Sequence, residues 1–282
     1  MQKYKEPENN GLTVIIPTYI PKDYLWDCLD SIEKQSLDKD KFQVIIVLNG
    51  EKEPYWSKIE EHLKSYTFNS TLLYSKAKGV SQARNIGIEA VKSRYITFID
   101  DDDWISSCYL EEMLAQAEND AIVETYAKSV DEHKKEEKEH FLGIAFKKSQ
   151  KHKKHNILNS RSFFSSSCCK LIDINSIGKE RFVEGITHGE DAFFMYKISY
   201  RIKKIKTTSE KAIYYVRERQ DSASRNTQIR NKKKKMERKM LYLYSSTYFS
   251  HPFRYNFLFT MTRIIATLRK DRKSTRLNSS HH

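Results

Sequence analysis

The chain has 282 residues, 39% of them hydrophobic and 12% aromatic, with five prolines and a formal charge of +13. That apolar content excludes a disordered chain, and the length suits one large domain or one domain with an appendage. The positive balance calls for an anionic partner: a phosphorylated substrate, an anionic membrane or a nucleic acid.

The opening MQKYKEPENN has no apolar segment of the kind that forms a secretory leader. Near the other end, YNFLFTMTRIIATL is short and interrupted by Arg263, so no membrane span is expected. Cys28, Cys108, Cys168 and Cys169 lack the paired spacing of a zinc site and read as reduced thiols, which suits a cytoplasmic protein.

Between these ends the first half alternates in type. LTVIIPTY is a β-branched run closed by turn residues and predicts a buried strand. Leu25, Leu29 and Ile32 follow at helical spacing. FQVIIVLNG predicts a second strand, the stretch from Trp56 to Tyr66 a helix, and STLLYS a third strand. Ser81 is placed to cap the helix SQARNIGIEAVKS, and RYITFI is the fourth strand. Strands alternating with helices imply a mainly parallel sheet flanked by helices, an α/β fold whose ligands bind beyond the carboxyl ends of the strands.

After Trp104 the pattern loosens. CYLEEMLAQAE predicts a helix, AIVETYAKSV one strand, residues 131–140 a charged connection and residues 141–160 an exposed segment carrying five lysines between Lys147 and Lys154. HGEDAFFMYKISYRI reads as an amphipathic helix opened by acids, and KAIYYVRERQ as a last strand. From Arg225 the chain is basic and helical: Arg225 to Lys239 holds eight Lys or Arg against one acid, a net +7. The final RKSTRLNSSHH has no apolar periodicity and resembles a translated adapter sequence.

The acids Asp100 to Asp103 stand at the end of the fourth strand, where a divalent cation would make their crowding tolerable. Alternation along a strand predicts that Asp100 and Asp102 project together, while Asp103 is placed to cap the next helix.

IIPTY, VIIVLNG, GVSQARNIGIEAVKSRYITFIDDDDW, HGED and YYVRERQDSAS occur in that order, and together they resemble a family 2 glycosyltransferase of the bacterial cell-surface polysaccharide type. The resemblance covers roughly residues 11–225 and implies the GT-A fold, a Rossmann-like domain that binds a nucleoside diphosphate sugar with Mn²⁺ or Mg²⁺. It divides the chain into a tail at 1–10, a transferase domain at 11–224 (nucleotide-sugar half 11–104, acceptor half 105–224), a basic helical extension at 225–271 and a non-native or disordered tail at 272–282.

The resemblance also implies roles. Asp100 and Asp102 match the family's Asp-x-Asp metal and diphosphate motif, with Asp101 beside them; apart from the resemblance, His188 is a candidate metal ligand or a packing and hydrogen-bonding histidine. Pro17, Thr18, Tyr19, Asn49, Gly79, Arg84 and Asn85 match the nucleotide pocket. Arg84 suits two tasks, a cation for the diphosphate or an anchor for the acidic run. Arg217 and Ser222 match an Arg and Ser in a loop that closes over the diphosphate, with Arg219 and Ser224 in support. Asp191, with Glu190 beside it, matches the general base of inverting transfer, which takes the proton of the attacking hydroxyl. Many relatives carry Asp-Asp-Gly-Ser where this chain has Leu48-Asn49-Gly50-Glu51, so a carboxylate expected at the base ring is absent, and Asn49 is left to bond a uracil edge.

The expected donor is thus a nucleoside diphosphate sugar, the acceptor a glycan or lipid-linked glycan, and the basic extension a contact for an anionic membrane surface. Two other readings stay open: a family member without transfer activity that acts as an assembly partner, and a nucleic-acid-binding protein that uses the basic runs.

Overall fold

A computed structural model of the chain describes residues 9–132, 134, 136–152, 155–218 and 230–276. In chain order the first half holds β1 (Asn9–Thr18), α1 (Tyr24–Glu33), β2 (Phe42–Asn49), α2 (Tyr55–Leu63), β3 (Asn69–Ser75), α3 (Val80–Ala90) and β4 (Ser93–Phe98). The second half holds β5 (Trp104–Ile105), α4 (Tyr109–Ala115), β6 (Ala121–Glu124), β7 (Tyr126–Asp131), β8 (Glu137–Glu139), α5 (Phe141–Ser149), β9 (Lys170–Asp173), α6 (Ile174–Ile177), α7 (Glu190–Ile198), β10 (Lys204–Thr207) and β11 (Ile213–Glu218). Two long helices follow, α8 (Arg230–Ser250) and α9 (Phe257–Arg276).

Seven strands form the main sheet in the order β10-β6-β9-β4-β1-β2-β3. All its pairings are parallel except those of β9, which runs antiparallel between β4 and β6. Strand β2, one in from the edge, is apolar nearly throughout because helices cover both faces of a parallel sheet. Leu25, Cys28, Leu29 and Ile32 form the buried face of α1, at the i, i+3, i+4, i+7 positions of one helical stripe.

Helix α3 lies close against β1 at Gly87, where a Cβ would come within 2.5 Å of Ile15 Cγ2. Ile15 is fully buried and branched at Cβ, so it has little room to give. Gly87→Ala is therefore expected to destabilise the protein by roughly 1–3 kcal/mol through overpacking, although alanine is the better helix former. A urea midpoint unchanged or raised by the substitution would refute this packing.

Several expectations from sequence are corrected. AIVETYAKSV is two strands: β6 belongs to the main sheet, and after Thr125 the chain enters a second sheet of order β5-β11-β7-β8. The charged connection contains β8, which pairs with β7. The exposed segment begins with α5, whose Leu142 and Phe146 are buried. Ser81 lies inside α3, behind Gly79, and does not cap it. Asp103 does not cap α4, which starts after Cys108; its carboxylate accepts from the backbone N–H of Arg217 at 2.9 Å.

Helix α9 runs to Arg276, past the boundary placed at 271. Both α8 and α9 are packed on the domain: Met240, Tyr244, Tyr255 and Phe259 belong to the same buried cluster as Leu12 and Phe98.

Candidate active site

The site forms where the carboxyl edge of the parallel strands meets the starts of α3 and α7. Strand β4 ends at Phe98, and Asp100 to Asp103 form a turn closed by a bond from Asp103 N–H to Asp100 O at 3.1 Å. They are not a strand end, so simple alternation does not govern their directions. The turn is held from both sides, by β4 in the main sheet and by β5 in the second. Trp104 pairs with Tyr215 of β11 in register, their rings stacked 5.4 Å apart. A tryptophan thus follows the acids because it anchors their turn to the second sheet.

Each acid has a different setting. Asp101 accepts a 2.5 Å bond from Thr18 Oγ1 at the end of β1. Asp103 is buried, and burial, then the charges of Asp102 and Asp100, push its carboxyl well above the usual range. Asp100 and Asp102 are half-buried. The Asp100 carboxylate accepts from Arg84 Nη2 at 2.7 Å.

Arg84 is the centre of the site. It lies on α3 with its side chain 4% exposed, and its Nη1 donates to Asp191 Oδ1 at 2.5 Å. Its guanidinium also lies over the Phe182 ring at 5.4 Å. Burial disfavours the cation, but the charges of Asp191 and Asp100 outweigh that and raise its pKa further. One guanidinium therefore ties the acidic turn to the start of α7.

The second oxygen of Asp191 accepts from Ser167 N–H at 3.1 Å. That loop is fixed by Lys170, whose buried ammonium donates to Ser166 O at 2.6 Å and Cys168 O at 2.5 Å. Burial lowers the Lys170 pKa, and burial raises nearby Glu124 to about 8. Glu190 has a buried Oε2 without a hydrogen-bond partner, and burial, then the Asp191 charge, push its carboxyl up to about 7.

The nucleotide-pocket candidates fall into two sets. Asn49 and Asn85 are buried staples: Asn49 donates to Thr18 O at 2.8 Å and accepts from Gly79 N–H at 3.0 Å, while Asn85 bonds both backbone polar groups of Phe182. Pro17 and Thr18 are buried at the end of β1. Tyr19 is 41% exposed, with Lys78 Nζ 5.4 Å from its ring centre. Gly79, at φ +143°, has open space where a Cβ would stand. An aromatic face, a cation and bare backbone lie together at the mouth of β1 and β2.

Arg217 braces the acidic turn. Its Nε donates to Asp102 O at 2.9 Å, its Nη2 donates to Asp27 at 2.8 Å, and its guanidinium lies 4.8 Å from the Trp104 ring centre. Ser222, Arg219 and Ser224 lie outside the described residues. His188 is exposed on the bend before α7. Among the described residues no group of three or more His, Cys, Asp or Glu could hold a metal ion by itself. Sequence reasoning missed Asp27, Ser167 and Lys170; they act through backbone or through partners distant in the chain, and no local motif marks them.

An acidic turn beyond β4 is thus joined through a buried arginine to a carboxylate at a helix start, on the carboxyl edge of an α/β sheet. The profile of Glycosyl transferase family 2 matches residues 13–178, and the chain belongs to that family. EpsH of Bacillus subtilis (strain 168) is 26% identical over 222 residues, and the minor teichoic acid biosynthesis protein GgaB of the same organism 28% over 229 residues. These alignments cover 74% and 77% of this chain but 61% and 24% of the relatives, so the chain spans only part of their lengths. Among solved structures, residues 1–349 of Staphylococcus aureus TarS with UDP-GlcNAc superpose with a TM-score of 0.70 at 20% identity, covering 84% of this chain and 66% of that one. The fold is GT-A.

Proposed function

We propose that the protein is a metal-dependent inverting glycosyltransferase that moves a sugar from a nucleoside diphosphate sugar to a hydroxyl of a cell-surface glycan precursor. The observation that carries this reading is the Arg84 bridge, which puts the Asp-x-Asp turn and Asp191 on one cation. A donor site and a proton acceptor must be this close for one displacement to use both.

Asp100 and Asp102 are the residues that would hold Mn²⁺ or Mg²⁺. Their oxygens are hard donors, and two carboxylates with phosphate oxygens completing the shell is a common arrangement for such ions. When bound, the ion supplies positive charge to the departing diphosphate. A fold neighbour, the Pyrobaculum calidifontis mannosyltransferase PcManGT, was solved with GDP-Man and Mn²⁺ at a TM-score of 0.56, 12% identity and coverage of 86% of this chain and 64% of its own. Tyr19 and Lys78 suit the base and phosphates of the donor, and Thr18 orients Asp101. UDP is the nucleotide favoured by the TarS complex. Asp191 accepts the proton of the attacking hydroxyl: Arg84 and Ser167 N–H fix its direction and leave further lone pairs on both oxygens.

The acceptor side fits a cleft of about 620 Å³ between α1 and the second sheet, lined by Asp27, Asp30, Trp104, Glu137, Tyr215 and Arg217. Carboxylates beside an aromatic pair suit a hydroxyl-rich chain. The names of GgaB and TarS favour a wall or envelope polymer as its source. The unbridged cysteines suit a cytoplasmic site of action.

The test is thermal stabilisation by UDP, GDP, CDP and their sugars with and without Mn²⁺, in the native protein and in Asp102→Asn. The expected result is a metal-dependent rise with a UDP-sugar that the substitution abolishes, since a ligand held only by the folded state raises its melting temperature. A protein that no nucleotide stabilises, or an equal rise in both proteins, would overturn the reading.

A further inference from the structure

The hairpin of α8 and α9 has a docked side and an open side. On the docked side Tyr244 packs edge-on against Phe193 and Tyr196, Tyr255 stacks on Tyr196 at 4.8 Å, and Phe259 meets Phe164 at 5.2 Å. Arg263 donates to the carbonyls of Phe164 and Arg161. Met240 comes within 3.4 Å of the position a Cβ would take on Gly189, the residue before Glu190 and Asp191. The hairpin is thus fixed to the helix that carries the proposed base.

The open side concentrates large apolar groups at the turn between the helices. Phe253 is fully exposed at 103%, Phe249 is 77% exposed and Phe257 54%. Tyr248 contacts both Phe249 and Phe257, with ring centres 5.6 and 5.9 Å away, so these three rings form one patch, and Phe253 stands in the turn between the two helices. Leu258, Ile265 and Leu268, seven and three residues apart, continue an exposed apolar row along α9. A patch of this kind on a folded protein marks an interaction surface.

Charge selects the partner. From Lys235 to Arg254 the sequence holds four Lys or Arg against one acid, Glu237. Lys235, Arg238, Lys239 and Arg254 are exposed. A second copy meeting this face would oppose positive charge to positive charge, whereas an anionic bilayer accepts both the cations and the aromatic rings at its interface. Among the described residues no helix is long and apolar enough to cross a membrane.

We infer that the α8–α9 turn is a membrane-surface anchor, with Phe249, Phe253 and Phe257 entering the headgroup region of an anionic bilayer and Lys235, Arg238, Lys239 and Arg254 lying on its phosphates. Sequence alone expects Lys232 to Lys235 and the MLYLYSSTYFSHPF run after them to meet the membrane; the structure adds that Phe249 and Phe253 of that run stand exposed at the turn beside Phe257. The inference rests on the hairpin and stands whether or not the site transfers sugar.

The experiment is co-sedimentation of the full chain with vesicles of phosphatidylcholine, with and without one third phosphatidylglycerol. The protein is expected to pellet with the anionic vesicles at least about tenfold more tightly, and to be released by salt. Phe249→Ser with Phe253→Ser should weaken that binding by roughly tenfold with an unchanged melting temperature, because both rings are solvent-exposed in the free protein. In Phe253→Trp, anionic vesicles should shift the tryptophan emission to the blue. Equal pelleting with both vesicles, serine variants that bind as well as the native protein, or emission that does not move would each overturn the anchor. So would a concentration-dependent dimer that the serine variants dissolve, which would assign the patch to a second copy.

Discussion

Asp191→Asn is expected to lower the rate of nucleotide release from the stabilising donor sugar, in the presence of an envelope acceptor fraction, by roughly 10²–10⁴-fold. The substitution keeps the size of the side chain but replaces one acceptor oxygen by an amide donor. One of the two present donors, Arg84 Nη1 or Ser167 N–H, then faces another donor. Some stability is lost for that reason, about 1–2 kcal/mol. The proposed proton acceptor is lost outright, so turnover should fall far more than stability. Nucleotide binding, read by thermal shift, should stay within a few fold, since Asp100 and Asp102 are untouched. Glu190→Gln is the companion arm. Its carboxylate is the neighbour with an unpartnered oxygen and a pKa near 7, so a normal rate in Asp191→Asn with a collapsed rate in Glu190→Gln would move the base to Glu190.

Arg84→Met should cost about 3 kcal/mol of stability, the low end for removing one partner of a buried ionic group because the Asp100 side chain is 40% exposed. Methionine fills much of the arginine's volume, so the loss reports the charge and hydrogen bonds more than a cavity. Without the cation, Asp100 and Asp191 face each other across a site from which water is partly excluded, and the acidic turn loses its tie to α7. The melting temperature should fall by roughly 6–12 °C for a domain of this size. Arg84→Lys should recover only part of that, because an ammonium lacks the planar fork that reaches both carboxylates. The measurement also decides between the two tasks the sequence leaves open for this residue. An anchor destabilises the free protein when removed; a cation reserved for the diphosphate weakens nucleotide binding and leaves the free protein as stable as before.

The first half of the fold is legible because the continuous runs around Ile15 and Ile45 are long, β-branched and closed by turn residues, which is what a parallel strand covered on both faces requires. The break at Thr125 is not legible, since a β-branched residue between Glu124 and Tyr126 looks like any other strand position. Long-range pairing decides it: β6 is held by β9 and β10, and β7 by β11 and β8. Likewise the lysines of α5 suggest exposure, but Gly143 lets the helix lie against the Ala127 carbonyl and bury Leu142 and Phe146.

By itself, then, the sequence determined the α/β alternation, the carboxyl-edge location of the acids and the motifs that mark a family 2 glycosyltransferase, because strand periodicity and motif spacing are local properties. Only the tertiary structure decided which partners the described site residues hold. Asn49 and Asn85 became staples, Arg217 a brace on Asp27 and Asp102, and Arg84 a bridge between carboxylates from different ends of the domain. A hydrogen-bonding side chain takes its role from the partner that folding brings within about 3 Å, and for these residues that partner lies outside any local window of sequence.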